Sequence, residues 1–162
     1  MLVETRKIDW PEYGRLCKLL AGRLKSEFDP EEIIAIAGGG TVVGATIASI
    51  LKIDLFPIKI SMKVSEQVVR KQPKLTIPPT AHIEQKRVLL IDDRSLTGQS
   101  MREALKEVEK FHPTNVATAV LFRGGEYQPD YYAIFSFGAV VFPWEENGGS
   151  PEKADEEEIL KK

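Results

Sequence analysis

Cysteine is nearly absent from this chain: Cys17 stands alone among 162 residues, so neither an intramolecular disulfide nor a cysteine-rich metal site is available. It lies in a segment of helical periodicity, which assigns it to packing rather than to reactivity. Histidine is almost as scarce. His82 and His112 both fall in turn-like surroundings, and neither has a partner at metal-ligand spacing. No apolar run approaches the ~20 residues that cross a bilayer, and MLVETRKIDW has no apolar stretch of the secretory kind. The expectation is a cytoplasmic protein with no membrane partner. Several nucleotide and hydrolase motifs are also missing. There is no G-x-S-x-G nucleophile elbow, no Gly-Lys-Ser/Thr after Gly38-Gly39-Gly40, and no dinucleotide-type glycine spacing.

What is present has the balance of one soluble domain with a core, at 43% hydrophobic and 28% charged residues. The formal charge of −2 is unevenly spread. Glu145 to Lys162 holds seven acids against three bases, a net of −4, so the first 144 residues carry about +2. Residues 1–145 therefore read as the folded domain and 146–162 as an acidic, flexible tail. Nothing in a near-neutral body with no demonstrable Lys/Arg face argues for a nucleic-acid groove, so no nucleic-acid partner is expected.

The order of elements is informative. Asp9 before Trp10, Pro11 and Glu12 has the form of an N-cap, an early proline and a capping-box acid, which predicts a helix to about Ser26. Glu32 to Ala37 predicts a strand that breaks into Gly38, Gly39 and Gly40 and then a helix, TVVGATIASIL. Strands are expected over Asp54–Ile60, Arg87–Asp92 and Asn115–Phe122, with an amphipathic helix over SMREALKEVEKF. Alternating apolar strands and helices imply an α/β, doubly wound, mostly parallel sheet. Ligands bind beyond the carboxyl ends of such strands, so the loops at Gly38 and Asp92 should share a crevice. Ser61 to Gln85 shows no clear periodicity and reads as a long loop carrying Lys63, Arg70, Lys71 and Lys74.

The chemistry concentrates in VLLIDDRSLTGQS. Asp92 and Asp93 stand where a buried strand surfaces, followed by a Thr-Gly-x-Ser turn that opens a helix. Unpartnered N–H groups and hydroxyls at a helix start favour an anion such as phosphate. The paired carboxylates upstream cannot help to hold that anion; they can accept hydrogen bonds from sugar hydroxyls or face a magnesium ion. A phosphorylated sugar satisfies both halves.

This segment, Val88 to Ser100, resembles the signature of type I phosphoribosyltransferases: four apolar residues, two acids, a short variable pair, then Thr-Gly-x-Thr/Ser. The likeness extends over roughly Asp9 to Glu145 and is greatest to small prokaryotic purine (hypoxanthine, guanine, xanthine) enzymes. It implies that Asp92 and Asp93 bind the ribose hydroxyls of phosphoribosyl pyrophosphate, and that Leu96, Thr97, Gly98, Gln99 and Ser100 surround its 5′-phosphate. Gly38, Gly39, Gly40, Arg70 and Lys71 would hold the pyrophosphate, with Mg2+ arriving bound to it. A hood over residues 61–79 would cover the site, and Arg123, Ala139 and Val140 would face the base. Partners would be phosphoribosyl pyrophosphate and a nucleobase or nucleotide, with a homodimer as the assembly to test.

Five positions depart from the pattern. Arg94 replaces the usual aliphatic residue; Gly38 stands where the family carries Arg or Lys; Leu96 occupies the place of the acid in oxopurine enzymes; Arg123 replaces a lysine; and Ala139 sits where an aromatic residue stacks on the base. With Leu96 there, no catalytic acid or base is assigned, and a weak pH dependence between pH 6 and 8 is expected. The reading is transfer of 5-phosphoribosyl to a nucleobase, of purine type, with release of pyrophosphate; the alternative is a non-catalytic regulatory protein that binds the same ligand.

Overall fold

The computed structural model describes residues 5–145 apart from 62, 65–66, 69–73 and 78–82, with backbone alone for the rest of 61–82. In chain order the elements are β1 (Arg6–Lys7), α1 (Trp10–Glu27), β2 (Glu32–Ile36), α2 (Gly39–Leu51), β3 (Asp54–Ser61), β4 (Lys63–Val64), β5 (Gln67–Val68), β6 (Lys74–Ile77), β7 (Arg87–Ser95), α3 (Gln99–Glu109), β8 (Asn115–Arg123), β9 (Tyr131–Phe135) and β10 (Val140–Val141).

Helix α1 starts where its signals say it should. Asp9 caps it by accepting a hydrogen bond from the Glu12 amide at 2.8 Å, with Pro11 in the first turn. The reciprocal half of the capping box is not made, because the Glu12 carboxylate accepts from Arg6 instead. Leu16, Cys17, Leu20 and Leu24 form the buried face of the helix. Cys17 is a buried packing residue whose thiol is pushed up to about 11, chiefly by burial.

The sheet runs β6-β3-β2-β7-β8-β9, with only β6 antiparallel. Its inner strands bury both faces, so apolar residues fill successive positions and divide by parity. Ile33, Ala35, Leu89 and Ile91 pack toward α1 and α2, while Ile34, Ile36, Val88 and Leu90 pack toward α3. Each fully buried Leu or Ile stabilises the fold by about 1.5–3 kcal/mol. This is the expected doubly wound α/β arrangement.

Three differences from expectation have physical reasons. The stretch read as a long loop contains β4, β5 and β6; β6 joins the sheet edge by pairing Ser61 with Lys74, and strands so short leave no periodic trace. Helix α2 begins inside the glycines, at Gly39. The N-terminal β1 pairs in parallel with β10 through Arg6 with Val140 and Lys7 with Val141, a long-range contact with no local signal. No helix among the described residues is long and apolar enough to cross a membrane.

Candidate active site

From the sheet centre the chain winds two ways: β2 leads through α2 to β3 on one side, and β7 through α3 to β8 on the other. The ends of adjacent strands β2 and β7 thus diverge at a topological switch point, where crevices form in such sheets. The glycine loop and the acid pair meet there, as expected. Gly38 has φ 107°, a conformation that favours glycine. A Cβ on Gly39 would overlap the carboxylate of Asp93, and one on Gly40 would lie 2.7 Å from Asp92 Oδ1. Only hydrogen fits between the start of α2 and the two acids.

Both acids are half-buried at the end of β7. Asp92 accepts a hydrogen bond from the Asp93 amide at 2.8 Å. Burial, reinforced by the charge of Asp93, holds the Asp92 carboxyl well above the ordinary carboxylate range. Burial also raises Asp93, against the opposing pull of the Arg94 guanidinium, whose Nε lies 3.5 Å from Asp93 Oδ2. A pair of this kind is stabilised in its charged form by incoming hydroxyl donors. The described residues contain no group of three or more His, Cys, Asp or Glu able to hold a metal.

Arg94 has an evident structural reason. It donates to Glu145 Oε1 at 2.5 Å and to the Val140 carbonyl at 3.2 Å, and its guanidinium lies 4.8 Å from the Phe142 ring centroid. Burial works against its charge, but the hydrogen bond to Glu145 and the charge of Asp93 outweigh that and raise its pKa. The C-terminal turn is thereby fixed to the acid pair. Trp144 is a packing residue, stacked on Phe142 at 4.6 Å and edge-on to Tyr13 at 5.4 Å.

Beyond the acids, Leu96 to Ser100 wraps an open cleft of ≈ 260 Å³ that Asp92 to Met101 line. Gly98, at φ 74°, turns the chain into α3 without a side-chain cap. The hydroxyl of Ser95 is buried with no partner among the described residues, although the residue lines the cleft.

Next along the sheet, register places Ser95 beside Arg123 and Arg123 beside Phe135. The Arg123 guanidinium lies 5.0 Å from the Phe135 ring centroid and 5.4 Å from that of Tyr132. Phe135 meets Phe137 edge-on at 4.9 Å, and Phe137 is 87% exposed. Sequence reasoning missed both phenylalanines. Of the residues assigned to the base, Arg123 stands at this strand end and Ala139 is exposed, whereas the Val140 side chain is 3% exposed and belongs to the core. That packing takes the Val140 side chain out of any open pocket. Arg70 and Lys71 lie outside the described residues, as do His82 and the tail 146–162. His112 caps the turn after α3 with φ 53°.

Comparison with known proteins agrees with this geometry. A purine phosphoribosyltransferase from Pyrococcus horikoshii Ot3 superposes with a TM-score of 0.79 and 30% identity, over 94% of this chain and 99% of that one. The xanthine-guanine-hypoxanthine phosphoribosyltransferase of Helicobacter pylori shares the fold, with a TM-score of 0.73 at 17% identity over 89% and 94% of the two chains. Among curated proteins, the orotate phosphoribosyltransferase of Maricaulis maris (strain MCS10) is 31% identical over 130 residues. That match takes in 77% of this chain, which spans 62% of the length of the relative. The sequence profile of the Phosphoribosyl transferase domain matches residues 9–152. With that profile laid over the acid pair and the turn at the switch point, the chain belongs to the phosphoribosyl transferase domain family.

Proposed function

We propose that the protein transfers a 5-phosphoribosyl group from phosphoribosyl pyrophosphate to a nucleobase of purine type, releasing pyrophosphate. The observation that carries this is the juxtaposition of a half-buried acid pair, a side-chain-free glycine turn and an anion-accepting turn at one pair of strand ends. Asp92 and Asp93 accept hydrogen bonds from the ribose hydroxyls. Thr97 to Ser100 hold the 5′-phosphate through backbone N–H groups and the hydroxyls of Thr97 and Ser100. Gly38 to Gly40 leave room for the pyrophosphate to approach the start of α2, which favours negative charge. Magnesium enters with the pyrophosphate as part of the substrate and neutralises its charge as it leaves.

The residues supply position and electrostatics rather than a covalent intermediate. The base lies toward Arg123, with Phe135 and Phe137 offering the aromatic surface that Ala139 does not. Arg123 can only donate, because guanidinium stays protonated, so it favours a base that presents an acceptor. The purine enzyme from Pyrococcus horikoshii Ot3, matched over nearly its full length, supports a purine over orotate. The protein acts in the cytoplasm on this reading. The test is a radiolabelled transfer assay with magnesium and a panel of bases. Nucleotide formed from hypoxanthine, guanine, xanthine or adenine supports the reading; ligand binding with no turnover on any base favours the regulatory alternative.

A further inference from the structure

The turn that lines the cleft is gripped from outside by residues that do not line it. The amide of Tyr127 donates to the Leu96 carbonyl at 3.3 Å, and Arg102 Nη1 donates to the Thr97 carbonyl at 2.7 Å. Arg102 lies over the Tyr127 ring, 4.9 Å from its centroid. The same ring fills the space where a Cβ on Gly98 would stand. Gly125, at φ 73°, brings the β8–β9 loop so close that a Cβ there would lie 2.7 Å from the Leu96 carbonyl oxygen.

These contacts fix the direction of two peptide planes. In a trans peptide the C=O of one residue and the N–H of the next point opposite ways, and no peptide bond among the described residues is cis. With the Leu96 carbonyl drawn toward Tyr127, the Thr97 amide faces away from it; with the Thr97 carbonyl held by Arg102, so does the Gly98 amide. Successive amides turned to one side form an anion-binding concavity. On the other flank, Arg123 Nε donates to the Tyr127 carbonyl at 3.2 Å, so one residue ties the anion turn to the strand end assigned to the base.

We propose that Tyr127 and Arg102 are positioning residues of the anion site, holding the Leu96 to Ser100 turn open, with the Thr97 and Gly98 amides presented, before ligand arrives. The inference rests on the functional reading in that the anion is taken to be a sugar phosphate. Holding the phosphate equally in ground and transition states should act on KM far more than on kcat.

The experiment titrates the full chain with ribose 5-phosphate, which carries the phosphate without a leaving group, and measures KM and kcat for phosphoribosyl pyrophosphate alongside. The variants are Tyr127→Ala, Tyr127→Phe and Arg102→Met; Arg102 is exposed, so its replacement leaves the core untouched. Tyr127→Ala should weaken ribose 5-phosphate binding by about tenfold or more and raise KM in proportion, with kcat within about threefold of the parent. Tyr127→Phe should restore both to within about twofold, since it keeps the ring against Gly98 and Arg102 that Tyr127→Ala removes, while the backbone amide is present in either variant. Arg102→Met should fall between them. A parent that binds ribose 5-phosphate and transfers nothing overturns the transfer reading and leaves this one standing, provided the variants bind more weakly. Equal binding by parent, Tyr127→Ala and Arg102→Met, or a loss confined to kcat, overturns the inference. A parent that does not bind ribose 5-phosphate overturns both.

Discussion

Gly39 and Asp93 occupy each other's space: any side chain on the first would overlap the carboxylate of the second. The contact joins the first residue of α2 to the acid pair of β7, and it explains why α2 opens on glycine. Gly39→Ala should place a methyl group against Asp93 and turn its carboxylate out of the cleft. The expected result is a loss of phosphoribosyl pyrophosphate affinity of about tenfold, or ~1.4 kcal/mol, with a melting temperature within a few degrees of the parent. Calorimetric titration and a thermal melt check both halves.

The acid pair sets a pH dependence that composition does not suggest. Burial raises both carboxyls, so at acidic pH the pair binds protons and accepts more weakly from ribose hydroxyls than the ionised pair does. Affinity for phosphoribosyl pyrophosphate should therefore rise with pH above the ordinary carboxylate range and level off once the pair is ionised. This places the acid limb above the range of an ordinary carboxylate. Arg94→Leu removes the cation that favours ionised Asp93 and should move this limb to higher pH, so that the loss relative to the parent is larger at pH 6 than at pH 8. Dissociation constants measured across pH 5 to 8 decide the direction.

The same burial costs stability. A carboxyl raised in the folded state stabilises the fold below the ordinary carboxylate value, and that contribution is lost as pH rises through the raised value. At neutral pH the charged pair is a net strain on the unliganded protein. Asp92→Asn removes one charge and keeps the oxygen that accepts from the Asp93 amide. It should stabilise the free protein by about 1 kcal/mol, seen as a rise of about 2–4 °C in Tm, while ribose binding is lost. An unchanged or lower Tm would show that burial does not dominate at this site.

Much of this was legible locally. Asp9, Pro11 and Glu12 announce α1, the apolar run before Asp92 announces β7, and the glycine loop and acid pair meet at one crevice as the alternation of elements requires. Other features depend on residues far apart in the chain. The pairing of β1 with β10 leaves no periodicity in two-residue strands, and β9, half-buried at four of its five positions, shows no alternation. Phe137, the exposed ring near this strand end, stands two residues before Ala139, and the path between β9 and β10, with no local signal, decides which side chain stands clear. Arg94 looked like an anomaly in the signature until Glu145, Val140 and Phe142 were found around it. Tyr127 and Arg102 carry no motif at all.

Leu96 is 52% exposed beside the cleft, so an acid is tolerated there without a burial penalty. Leu96→Asp should supply the proton acceptor that the turn lacks and raise transfer to hypoxanthine, guanine or xanthine by about tenfold or more, worth ~1.4 kcal/mol of barrier. Steady-state rates on the three oxopurines measure the effect. An unchanged or lower rate in a folded variant that still binds phosphoribosyl pyrophosphate would mean that Leu96 does not adjoin the base.

The central claim is that phosphoribosyl transfer takes place over Asp92, Asp93 and the Leu96 to Ser100 turn. The most direct measurement is nucleotide formation from labelled phosphoribosyl pyrophosphate, magnesium and purine bases, comparing the parent with the Asp92→Asn/Asp93→Asn double variant. The account predicts turnover by the parent on at least one purine base and a loss of at least about a hundredfold in kcat/KM, ~2.7 kcal/mol, in a double variant that remains folded. No nucleotide from any base, or a double variant as active as the parent, would contradict it.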